Sequence, residues 1–168
     1  MKMTVLAGGL ALAGLLAVGL VQAQPLNKPQ PFGAGFDNWT FTKTLEKPGL
    51  TNCRASRRVG GRDDIMAMRT DGNSYLSVRA EGRNAKYKES IVVPFREPKN
   101  GQQWDLTVEA NGTRMWFPLP PGGIDIIASR GGYEVLLGGT EDRDRVDLGK
   151  RAMDAWKRVR ECVVASGG

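Results

Sequence analysis

The chain has 168 residues, a formal charge of +6 and no histidine. Without imidazole, the commonest general base and the commonest transition-metal ligand are both missing, and no cofactor is expected. A chain of this length, once an export leader is removed, makes one domain with a single core.

The first 23 residues read as a cleavable secretory signal. Lys2 supplies the positive start, Val5 to Val21 form an apolar run rich in glycine and alanine, and Val21-Gln22-Ala23 ends it with a small residue before the cut. Residue 24 is Gln, so the lipid-anchoring cysteine of a bacterial lipoprotein is absent. The mature chain then carries a net charge of +5 and is expected in the periplasm or secreted, with no stable membrane insertion. Residues 24–35 hold three prolines and two glycines without periodicity and read as a flexible leader. The globular domain is expected over 36–164, with 165–168 a disordered tail.

From Phe36 onward the chain reads as strands. Trp39 and Phe41 alternate with threonines, Cys53 and Ala55 alternate with Arg54 and Ser56, and Gly60-Gly61 makes a turn. Ile65 to Met68 leads through Thr70-Asp71-Gly72-Asn73 into Tyr75 to Val78, which predicts a hairpin. Ile91, Val93 and Phe95 mark another strand. Trp104 to Glu109 and Thr113 to Phe117 flank Asn111-Gly112, a second hairpin signal. Ile124 to Ala128 and Tyr133 to Leu137, joined by Ser129 to Gly132, read as a third. Residues 143–148 alternate as a last strand. Leu148, Ala152, Ala155, Val159 and Cys162 then repeat at steps of three and four, the apolar stripe of a helix over about 149–163. The expected class is α+β, mainly β: an antiparallel sheet or sandwich of about 7–9 short strands with one C-terminal amphipathic helix.

Cys53 and Cys162 are the two cysteines. In an exported chain they predict a disulfide that pins the terminal helix across the sheet. Closing a loop of this size is worth up to about 4.7 kcal/mol in the chain-entropy model.

Few residues point to catalysis. No serine sits in a nucleophile elbow, and Ser90 near Lys86 and Lys88 reads as an edge strand protected by lysine. Asp63-Asp64 and Glu141-Asp142-Arg143-Asp144 are the candidate carboxylates for a histidine-independent hydrolase, the latter interleaved with arginine. The glycine pairs lack any nucleotide fingerprint and read as turns. Asn38-Trp39-Thr40 and Asn111-Gly112-Thr113 match the glycosylation pattern, which matters only on a eukaryotic secretory route.

The basic residues around the first cysteine carry the stronger signal. Arg54, Arg57, Arg58, Arg62 and Arg69 are the candidate anion- or partner-binding set, since a cationic sheet face can grip phosphates or acidic sugars. The segment Val146 to Trp156 (VDLGKRAMDAW), a strand running through glycine into an alanine-bearing terminal helix, resembles exported bacterial proteins of the invasion-associated locus B type. That resemblance implies a non-enzymatic envelope or secreted protein and brings no catalytic residues with it. The expected function is therefore an exported binding protein that contacts an anionic envelope component or another protein, with nucleic acid not expected as a partner.

Overall fold

The computed structural model describes residues 25–79, 90–96, 103–111, 114–136 and 143–168. The signal segment 1–23 lies outside them. Ten strands form one antiparallel sheet: β1 (Gln30–Pro31), β2 (Trp39–Lys47), β3 (Leu50–Val59), β4 (Arg62–Arg69), β5 (Ser74–Arg79), β6 (Ser90–Arg96), β7 (Gln103–Asn111), β8 (Arg114–Leu119), β9 (Gly132–Leu136) and β10 (Arg143–Asp147). Their order across the sheet is β1-β2-β3-β4-β5-β8-β7-β6-β9-β10. The described residues also form two helices, α1 (Gly123–Arg130) and α2 (Ala152–Ala165).

The alternating pattern selects which face is buried. In β2 and β3, Trp39, Phe41, Cys53 and Ala55 point to the core side, continued by Met66 on β4, Leu76 on β5, and Met115 and Phe117 on β8. The stripe of α2 (Ala152, Ala155, Trp156, Val159, Cys162 and Val163) lies on this side and packs against β2, β3 and β4. Cys53 and Cys162 form the expected disulfide, with Cα atoms 6.0 Å apart. Its helix end and its strand end are both withdrawn from solvent.

The Thr70 to Asn73 turn joins β4 to β5 as expected, and Asn111 pairs with Arg114 at the end of the β7–β8 hairpin. Three expectations are corrected. Residues 123–130 are a helix rather than the first arm of a hairpin, because Ile124, Ile127 and Ala128 bury a three-and-four spacing. A short apolar run bounded by glycines does not distinguish the two states by pattern alone. Gly131, at φ +74°, ends that helix in the left-handed conformation, and β9 pairs instead with β6 and β10. The leader is also not loose: Gln30–Pro31 pairs with β2, and Phe32 N–H donates to Phe41 O at 2.9 Å. Proline is tolerated there because the strand is at the sheet edge. The tail at 165–168 is tied as well, with Gly168 N–H donating to Val163 O at 3.0 Å.

Gly132 shows how tightly β9 and β10 approach. It pairs with Asp147, and a Cβ at this position would run into the carbonyl oxygen of Val146. Gly132→Ala is expected to cost about 2 kcal/mol through forced backbone displacement, read as a lower urea midpoint with an unchanged slope.

Candidate functional site

The five arginines singled out in the sequence do not form one face. Side chains alternate along a strand, so Arg54 and Arg58 point away from the helix side of β3 while Arg57 points with Cys53 and Ala55. On β4, Arg69 lies opposite Asn52 on the far face, whereas Arg62 points to the helix side with Asp64 and Met66. The set splits into Arg54, Arg58 and Arg69 on one side and Arg57 and Arg62 on the other.

Arg57 and Arg62 reach the outer edge of the sheet. The Arg57 guanidinium donates from Nη1 to the Asp147 carbonyl and lies against Gly149, whose φ of +76° keeps the chain turning away from β10. Arg62 Nη1 approaches Arg145 O at 3.5 Å. Two arginines thus satisfy carbonyls that an unpaired edge strand would otherwise present, which discourages edge-to-edge pairing. Beside them, Ala128 to Gly131, Arg145, Asp147, Gly149 and Lys150 line an open groove of about 410 Å³. Arg130 reaches it from the last turn of α1, Arg145 from β10, and Lys150 from the turn before α2.

Five cations (Arg57, Arg62, Arg130, Arg145 and Lys150) therefore converge on a region with three carboxylates. Asp64 is buried opposite Arg57, Glu134 faces Arg145 across β9–β10, and Asp147 accepts the Gly149 N–H at 2.7 Å. Arg145, Lys150 and Asp147 are exposed. The cationic excess is open to solvent, and guanidinium groups offer planar, multiple N–H donors suited to phosphate or carboxylate. Arg130, Arg145 and Lys150 were not singled out in the sequence, since they lie in three separate segments that only the fold brings together.

On the far face Arg54, Arg69 and Arg114 are engaged with carboxylates or rings, while Arg58 stands exposed opposite Asp63. Arg54 lies 5.4 Å from the Trp116 ring centroid and Arg114 lies 6.0 Å from it. Arg54 Nη2 is 3.9 Å from Glu46, Arg69 bonds Asp71 at 2.9 Å, and Arg114 bonds Asp63 at 3.1 Å. Burial pulls the Arg54 guanidinium below its ordinary pKa; Glu46 opposes this, and neighbouring Arg114 adds to it. In the turn, burial would raise the Asp71 carboxyl, but the Asn73 N–H and Arg69 outweigh it and hold the group below the usual range. Trp39 is buried, Trp116 is half-buried on this far face, and the Trp104 side chain lies outside the described residues.

The candidate carboxylates are not brought together. Asp63 and Asp64 are neighbours on a strand and point to opposite faces, one to Arg114 and the other into the core side. Glu141 and Asp142, the Asp144 side chain, Lys86, Lys88 and the Ser90 side chain lie outside the described residues. Among the described residues, no group of three Cys, Asp or Glu is placed to hold a metal ion, and no helix is long and apolar enough to cross a membrane. Comparison with known proteins finds no matching family model, no matching curated protein and no matching solved structure, so function is argued from the chemistry of the site.

Proposed function

We propose that this is an exported, non-catalytic binding protein of the periplasm or the secreted fraction that holds an anionic envelope component. The observation that carries this reading is the open groove at the β10 edge lined by Arg130, Arg145 and Lys150, with Arg57 and Arg62 reaching the β10 carbonyls beside it. The sequence-derived arginine set enters through these two members, while Arg54 and Arg69 are engaged with carboxylates on the other face. The disulfide suits an oxidising compartment. The invasion-associated locus B resemblance points to the same cellular location.

The test is co-sedimentation of the mature chain with phosphatidylglycerol vesicles, with phosphatidylcholine vesicles as the neutral control. Binding should appear on the anionic vesicles alone and fall steeply between low and high salt, as screening shortens the reach of exposed charges to about 8 Å at physiological ionic strength. Arg145→Glu with Lys150→Glu should abolish it, because both side chains are exposed and neither fills the core. Undiminished binding by that double variant would remove the groove as the contact surface.

A further inference from the structure

The basic groove at the β10 edge has apolar neighbours on two sides. From the β3–β4 hairpin, Val59 pairs with Arg62, so the two side chains share the helix-side face. Arg62 Nη1 approaches Arg145 O at 3.5 Å, which sets this end of the hairpin against β10. From α1, Ile126 stands three and four residues before Ser129 and Arg130, on the same face of the helix. Ser129 and Arg130 line the groove, and the Ser129 hydroxyl donates to Ile126 O at 2.7 Å. Val59 is 43% exposed and Ile126 46%. Neither belongs to the core.

Single exposed apolar side chains are ordinary on a protein surface, but two at the margins of one charged groove give it a mixed character. A soluble anion such as an acidic glycan uses the cations and gains nothing from Val59 or Ile126. A bilayer surface uses both. Lipid phosphates lie at the depth where basic side chains end, and the boundary of the acyl chains lies just beneath them. The charge suits the same partner. Arg130, Arg145 and Lys150 line the groove with one carboxylate, Asp147, and the Arg145 and Lys150 side chains are exposed.

We propose that the groove seats the protein on an anionic phospholipid bilayer, with Arg145 and Lys150 on lipid phosphates and Val59 and Ile126 entering the interface beside them. This inference rests on the reading of the groove as an anion site and names its occupant, the headgroups of a membrane surface. The contact is peripheral, since none of the described helices is long and apolar enough to cross a membrane. Taking two half-exposed apolar side chains out of water adds a part of the binding that salt does not screen.

The test is titration of the folded chain with phosphatidylglycerol vesicles, run beside heparin as a soluble anionic glycan. Val59→Thr with Ile126→Thr keeps the charge and the branched shape. It should weaken vesicle binding roughly tenfold while leaving retention on heparin and Tm nearly unchanged, because both positions are exposed. Val164→Thr is the control: Val164 is 71% exposed but lies near the far end of α2, roughly 18 Å along the axis from Ala152. It should bind vesicles as the parent chain does. Ile126→Trp should add an emission that shifts to the blue on vesicles and is quenched by brominated acyl chains, with no such change on heparin. The proposal is overturned if Val59→Thr with Ile126→Thr binds vesicles as tightly as the parent, if Val164→Thr weakens binding to the same extent, or if the Ile126→Trp emission is not quenched. Heparin binding that needs Arg145 and Lys150, without vesicle binding, would overturn the bilayer seat and leave the groove as an anion site. A parent chain that binds neither would overturn both readings.

Discussion

Replacing Cys53 and Cys162 together by alanine should lower folding stability by about 2–5 kcal/mol and Tm by roughly 10 °C. The bridge joins residues 109 apart in sequence, so its loss releases a long loop in the unfolded chain. It also removes the covalent tie between β3 and the C-terminal turns of α2, where both sulfurs are withdrawn from solvent. Among the ion pairs at that helix, Arg160 with Asp125 at 3.1 Å reaches α1 while Arg158 with Glu161 at 3.3 Å lies within α2, and both are exposed and contribute little. Thermal melts of the oxidised chain and the double-alanine variant measure the difference directly. Near-equal midpoints would show that packing of the α2 stripe alone holds the helix. The oxidised native protein should also resist reductant until it unfolds, because the buried sulfurs offer no path for an attacking thiolate.

Arg114→Met should cost about 3 kcal/mol, reflecting buried partners left unpaired. Arg114 stands on β8 and joins three strands. Nε donates to Ser77 Oγ on β5 at 2.9 Å, Nη1 to the Asp63 carboxylate on β4 at 3.1 Å, and Nη2 to the Asp63 carbonyl at 2.6 Å. Ser77 is fully buried, and the Arg114 side chain is 18% exposed, so water does not replace these bonds freely. Methionine keeps much of the length and the packing against Trp116 while deleting these donations and a fourth from Nη2 to the Ser77 carbonyl at 3.3 Å. The figure stays below that of a wholly buried ion pair because Asp63 is 30% exposed and partly screened. A double-mutant cycle with Asp63→Asn, read by urea denaturation, isolates the ionic part. A coupling near zero would assign the loss to the Ser77 and backbone bonds.

Arg114 also shows why part of the site is hidden in one dimension. In the sequence it follows an Asn-Gly turn and resembles any strand-entry arginine. Its partners Asp63 and Ser77 are 51 and 37 residues away and meet it only because β8 is inserted beside β5. Arg130, Arg145 and Lys150 share that property, coming from separate segments yet gathered at one groove. The arginine run from 54 to 69 has the opposite character. It is conspicuous in the sequence, yet the alternation of strand side chains sends its members to two faces, so closeness along the chain does not make one surface. The alternation of Cys53 and Ala55 with Arg54 and Ser56 could be read in advance; which member would find an acid or a carbonyl could not.

The sequence by itself determined the mainly β class, the two central hairpins, the amphipathic terminal helix and the Cys53–Cys162 bridge. Each rests on a local signal: period-two alternation, an Asp-Gly or Asn-Gly turn, a three-and-four apolar stripe, or a lone pair of thiols. Tertiary structure alone decided the rest. Residues 123–130 bury three apolar side chains as a helix against α2, β9 and β5, a choice their short run leaves open. Gln30–Pro31 becomes an edge strand because β2 offers unpaired backbone groups there. The basic groove arises where segments distant in sequence lie side by side, and such contacts leave no periodicity in the chain that makes them.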